Sequence, residues 1–166
     1  MKSTFLIFGF LSLPIQNHAI AGLEGKWEEC SVTYDSSLNR IFSFDTSDIL
    51  RETIIVRKEN DGCEAGRILI EINRFYNLKI SSTKIRMEHF NDTYVIRDEE
   101  EALKQSRKNL CGVSDWHVNE YKICPGEDNY NGINIVHSYD ASKNELILIS
   151  PDNKLVHRFS KLTVRN

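Results

Sequence analysis

Residues 67–80 constrain the fold of this 166-residue chain more than any other stretch. Ile68, Ile70, Ile72, Tyr76, Leu78 and Ile80 share one parity, with Arg74 as the exception, while Glu71, Asn73, Asn77 and Lys79 between them are polar. Successive side chains of a strand point to opposite faces, so this alternation describes a long strand that is dry on one side and wet on the other. Such a strand needs neighbours for its backbone groups and a cover for its dry face. The neighbours are legible as short runs rich in β-branched and aromatic residues. They span 25–33, 40–45 with Phe42 and Phe44 on one face, 50–58, 83–90 with Ile85 and Met87 on one face, 93–97, 118–123, 133–139, 145–150 and 155–164. Turn-forming clusters punctuate them at 36–39, Asn60-Asp61-Gly62, Ser81-Ser82, Asn91-Asp92, 125–128, 141–144 and 151–153. Asp-Gly in particular accommodates the positive φ that tight hairpins need.

One stretch departs from the two-residue period. Residues 98–109 read as a helix, with Asp98 as N-cap and Glu101 three positions on, a capping-box spacing. Acids crowd its start and bases its end, as the helix dipole favours. Only Ala102 and Leu103 qualify for burial, which places the helix on the outside of a sheet structure. Of these ten runs eight or nine count as strands, and with one helix, no repeat and no linker they define an all-β fold. Regular short strands suit a sandwich or a barrel, and closure removes exposed edges. The expectation is therefore an up-and-down antiparallel barrel of about eight strands, with one short helix between later strands.

Residues 1–21 have the form of a secretory signal: Lys2 at the start, an apolar centre from 5 to 13, and Ala19-Ile20-Ala21 as a small-x-small cleavage site. The centre is too short to span a bilayer, and no second apolar span follows. The domain is then 22–166, secreted or periplasmic. The whole chain carries a net charge of −3, and the leader holds one Lys and no acid, so the remainder is more acidic still. A mildly acidic chain without a basic block gives no support for nucleic-acid binding. All four cysteines, Cys30, Cys63, Cys111 and Cys124, lie beyond the leader. An even count in an exported chain reads as two disulfides. Three pairings are open; Cys30–Cys63 and Cys111–Cys124 are favoured because each joins neighbours along the chain.

Gly25-Lys26-Trp27 opens the first run. A Trp there needs a large buried site and a partner for its indole N–H, while Gly25 permits a close backbone approach. If the first and last strands pair, Arg158 comes to lie over the Trp27 face as a cation–π partner. In these residues the chain resembles the lipocalin and calycin group, which has a Gly-x-Trp near the start and an Arg near the end of the last barrel strand, here Gly25, Trp27 and Arg158. The Thr-Asp-Tyr motif that many lipocalins carry in mid-chain is absent. The resemblance implies a non-enzymatic barrel that holds a small hydrophobic ligand.

The residues themselves point to little chemistry. His89, His117, His137 and His157 show no metal-ligand spacing, so neither a metal nor another cofactor is expected. There is no nucleophile elbow, no HExxH, no phosphate loop, and no acid set alone in an apolar run that would flag a raised pKa. Asn91-Asp92-Thr93 matches a glycosylation acceptor. What remains is a cavity, with Phe42, Phe44, Ile70, Ile72, Arg74, Tyr76, Met87, Ile135, His137 and Tyr139 as lining candidates. An inward Arg74 requires a carboxylate or a wet cavity, and it would suit the acidic head of a fatty-acid-like ligand. A β-bulge near Asn73 would instead turn it outward. The alternative function is a protein-binding module, such as an enzyme inhibitor, with an exposed Trp116 on the Cys111–Cys124 loop as its contact.

Overall fold

A computed structural model of the chain describes residues 22–45, 48–58, 62–124, 134–142, 144–152 and 154–163. The leader, Asn60-Asp61, Ile133 and the turn at 125–128 lie outside these. The strands are β1 (Gly25–Val32), β2 (Ser37–Phe44), β3 (Ile49–Arg57), β4 (Ile68–Ile80), β5 (Lys84–Ile96), β6 (Tyr121–Cys124), β7 (Asn134–Ala141), β8 (Glu145–Ile149) and β9 (Val156–Lys161), with one helix, α1 (Glu99–Arg107). All pairings are antiparallel. β1 to β5 follow one another around the wall, β5 passes to β7, and β8 and β9 return to β1. Eight strands thus close an up-and-down barrel, and β6 is an added strand on the upper half of β5.

Closure sits where the first and last strands meet, Trp27 opposite Lys161. Trp27 is fully buried and its indole N–H donates to the Leu23 carbonyl at 2.7 Å. The cation over its ring is Lys161, with Nζ 5.1 Å from the centroid. Arg158, expected in that place, instead pairs with Glu145 on the outer surface. The reason is parity: His157, Phe159 and Lys161 face inward, so Arg158 between the first two faces out. Gly25 has φ +113°, and a Cβ there would meet Lys161 at 3.4 Å.

β5 is one strand where the sequence suggested two separated by a turn. Phe75 pairs with Asn91 but Tyr76 pairs with His89, leaving Phe90 as a surplus residue. This β-bulge absorbs the polar Asn91-Asp92 pair without breaking the strand. β3 runs opposite β4 without interruption through this region, so Arg74 keeps the face of Ile72 and Tyr76. The bulge lies one strand away from where it would have turned Arg74 outward. Similarly, Ser37 to Asn39 belong to β2 rather than to a connection, because each pairs with β1. Lys58 N–H donates to Arg67 O at 3.0 Å, one step beyond the pairing of Arg57 with Ile68.

Both disulfides have the favoured pairing, Cys30–Cys63 and Cys111–Cys124. The first ties the β3–β4 loop to the outside of β1. The second ties β6 to the segment after α1. Asp98 caps α1, accepting from Glu101 N–H at 3.0 Å. Ala102 is buried, as expected, but Leu103 is exposed, while Glu101 and Gln105 are buried in its place. Gln105 donates to Glu101 and Arg67 pairs with Asp98. The helix packs with Ile96 and Trp116. Ile96 has the inward parity of Asp92, so α1 covers part of the barrel's rim rather than its outer wall. No helix among the described residues is long and apolar enough to cross a membrane.

Candidate functional site

β4 reads out the barrel from one end to the other. Ile80 and Leu78 stand in the floor, Tyr76 and Arg74 at mid-height, Ile72 and Ile70 toward the mouth. At about 3.4 Å per residue, Ile70 lies some 14 Å along the strand from Arg74.

The floor is apolar. Trp27, Phe42, Phe44, Leu50, Tyr76, Leu78, Ile85, Met87, Leu146, Leu148 and Phe159 form one buried cluster with Leu23, and Ile80, Ile135, Tyr139 and Ala141 pack against it. The Phe42 and Phe159 rings lie 4.8 Å apart. Of the expected lining residues, Phe42, Phe44, Met87, Ile135 and Tyr139 thus belong to this packed floor, and Tyr76 joins its upper edge to the level of Arg74. Ile72 and Arg74 are half-buried above it, and Ile70 lines the mouth.

Above the floor lies a polar girdle. The strands from β1 to β5 each contribute an inward charge, in alternating sign: Glu29, Arg40, Glu52, Arg74 and Asp92. Arg40 lies 3.3 Å from Glu29 and 2.7 Å from Glu52. Glu52, 1% exposed, also accepts from the Tyr76 hydroxyl at 2.7 Å. Arg74 stands opposite Glu52 in register and lies 3.6 Å from Asp92. Asp92 in turn contacts His89 at 2.7 Å. On the far side His157 contacts Glu29 at 3.0 Å and Arg40 at 3.3 Å. His137 on β7 fills the remaining arc. A buried charge without a partner is costly, and alternating signs across adjacent strands give each charge its partner.

The girdle shifts its members in different directions. Burial and Glu52 push the Tyr76 hydroxyl well above its usual range, which keeps it a neutral donor. Burial opposes the charge of Arg74, but Tyr76, Glu52 and Asp92 outweigh it and raise the guanidinium further. Burial lowers His137, with His157 and Arg40 adding to it against a hydrogen bond to the Ile149 backbone. That bond occupies one ring nitrogen. The other, Nδ1, is out of solvent and has no hydrogen-bond partner among the described residues. A buried acceptor left bare costs on the order of 1–3 kcal/mol.

The mouth is a groove of about 640 Å³ between the β1–β2 turn, the ends of β3 and β4, and the first turns of α1. Val56, Leu69 and Ile70 supply its apolar lining. Its cations are matched by acids: Arg67 with Asp98, Lys58 with Glu100, Lys104 with Glu101. Trp116 does not stand exposed here. It is 4% exposed, packs against Tyr94, and its N–H donates to Leu110 O at 3.2 Å. It plugs the space beneath α1, which overturns its expected role as an exposed contact on the Cys111–Cys124 loop. No group of three or more His, Cys, Asp or Glu among the described residues is placed to hold a metal ion.

Of the girdle, sequence reasoning reached only Arg74, His137 and Tyr76. Glu29, Arg40, Glu52, His89, Asp92 and His157 were missed; Glu52 is buried, but beside Arg40, Tyr76 and Arg74 rather than alone in an apolar setting. A signal existed. Glu29 shares the parity of Trp27, Arg40 that of Phe42 and Phe44, and Glu52 that of Leu50 and Ile54.

Fold and site together define a closed eight-strand antiparallel barrel with a charged interior belt, compatible with a lipocalin-like fold. No protein-family model and no curated protein matches the sequence.

Proposed function

We propose that this chain is an exported, non-enzymatic binding protein of lipocalin-like type, taking a small, mostly apolar ligand with one polar end through the mouth of the barrel. The observation that carries this reading is the division of the interior into an apolar floor, a charged girdle and an open groove along a single strand. Apolar lining favours the ligand's body at about 25 cal/mol per Å² buried, and a few fixed polar groups orient its end. The two disulfides support an oxidising compartment, in keeping with the leader read from the sequence. The test is titration of the protein comprising residues 22–166 with environment-sensitive fluorescent lipid probes and retinol. Saturable binding, competed by unlabelled amphiphiles, is the expected result. No binding across a panel spanning fatty acids, alcohols, amines and retinoids removes this reading.

A further inference from the structure

Both signs of charge line the groove at the mouth, and none of its described lining residues is a histidine, so no imidazole titration enters its charge near neutral pH. Asp35, Asp98, Glu100 and Glu101 bring carboxylates; Lys58, Arg67 and Lys104 bring cations. Two of the acids are committed. Asp98 accepts from Glu101 N–H and meets Arg67 at 3.0 Å, while Glu101 accepts from Gln105 and meets Lys104 at 3.1 Å. Both are buried. The pair of Lys58 with Glu100 differs. It joins the end of β3 to the first turn of α1 at 3.6 Å, with side chains 51% and 81% exposed. An ion pair that long and that wet contributes little, so its members exchange partners at little cost. The same groove is lined by Val56 and Ile70, which face each other in register, and beyond them Ile54 faces Ile72. An apolar path therefore leads from the charged rim toward the girdle.

We propose that this groove receives a zwitterionic head group, an ammonium joined to a carboxylate or phosphate, with the ammonium on Glu100, the anion on Lys58 and the start of the apolar body on Val56 and Ile70. This rests on the binding reading above and names the ligand's polar end. A lone anion that takes Lys58 lies beside Glu100, whose charge repels it. A lone cation on Glu100 meets the same repulsion from Lys58. A zwitterion replaces the pair with two new ones and leaves neither side chain without a counter-charge, so the discrimination comes from repulsion as much as from attraction.

Calorimetric titration below the micellar range with N-octyl-N,N-dimethylglycine, octyltrimethylammonium, octanoate and octanol tests this, because the four differ chiefly in head group. The zwitterion binds roughly fivefold tighter than each of the others, as two exposed ion pairs warrant. Glu100→Gln abolishes that lead and brings octanoate level with the zwitterion; Lys58→Gln abolishes it and brings octyltrimethylammonium level. Both positions are exposed, and circular dichroism checks the fold of each variant. Phosphatidylcholine vesicles separate the sources of such a head. Lipid extracted from them identifies a membrane lipid, and binding of the octyl zwitterion alone identifies a free amphiphile; each sustains the inference. Absence of the lead in the native protein, or its retention in either variant, overturns it. Failure of all four compounds with the fluorescent lipid probes still bound overturns it and leaves the binding reading intact, whereas failure of the probes as well removes both.

Discussion

Glu52→Ala is the most direct perturbation of the girdle. The wild-type carboxylate accepts from Tyr76 at 2.7 Å through one oxygen and from Arg40 Nε at 2.8 Å through the other. Losing a hydrogen bond between a hydroxyl and a buried carboxylate costs about 1.5–3 kcal/mol. Removing one member of a buried ion pair costs about 3–5 kcal/mol when the other is stranded. Arg40 is not wholly stranded, because Glu29 and His157 still reach it and its side chain is 24% exposed. The combined loss is therefore set near the low end, at about 3 kcal/mol, or roughly 10 °C in Tm for a domain of this size. Urea unfolding, followed by tryptophan fluorescence and far-ultraviolet circular dichroism, measures it as a shift in midpoint at unchanged m. Tyr76→Phe alone loses about 1–2 kcal/mol, and the double variant loses less than the sum by about 1 kcal/mol or more. A loss under about 1 kcal/mol for Glu52→Ala, or strict additivity with Tyr76→Phe, refutes the claim that the girdle is held by these mutual contacts.

Three further outcomes follow from the geometry. Lys161→Ala loses about 0.5–1 kcal/mol through its cation–π contact with Trp27, whereas Arg158→Ala, at an exposed ion pair, stays within about 0.5 kcal/mol in the same denaturation assay. Replacing Cys30 and Cys63 together by Ala costs about 4 kcal/mol by loop entropy, against about 3 kcal/mol for Cys111 and Cys124, whose loop is shorter; equal losses, or the reverse order, count against the entropic account. Because burial lowers His137, the unfolded chain takes up a proton that the fold refuses. Its contribution is complete above about pH 6.5 and declines as pH falls toward the folded value. Urea midpoints measured from pH 4 to 8 show a slope in that window, which His137→Phe reduces; an unchanged slope refutes it.

The architecture was legible where one face of a strand is apolar and the other polar. The run ending at Ile80, the pairing of the first and last strands, the capped helix and both disulfides all follow from local pattern or chain proximity. The girdle was harder to read because a charge at an inward position looks locally like any surface charge. Glu52 sits between Arg51 and Thr53, and only the register of β2 and β4 around it reveals that Arg40 and Tyr76 complete its shell. Trp116 was misplaced for a related reason. Its neighbours in sequence are polar, while Tyr94 and Ile96, which bury it, come from a strand some twenty residues earlier. Arg158 failed by a single step of parity against Lys161, a difference that a family motif cannot supply when the strand's phase is unknown.

The surplus Phe90 sets a limit on how this chain can change length. Residues three apart in a regular strand point to opposite sides, yet His89 and Asp92 touch inside the barrel because Phe90 lies between them outside the ladder. Deleting that one residue restores strict alternation and rotates everything after it by half a turn: Asp92, Tyr94 and Ile96 move to the opposite face of the strand, and Asn91, Thr93 and Val95 take their places. Arg74 then loses Asp92 and keeps only Glu52 on the other side, and the packing beneath α1 loses Ile96 in the same event. Insertions and deletions are ordinarily absorbed in loops, but here a single codon within a strand decides whether the upper half of the barrel has an interior at all.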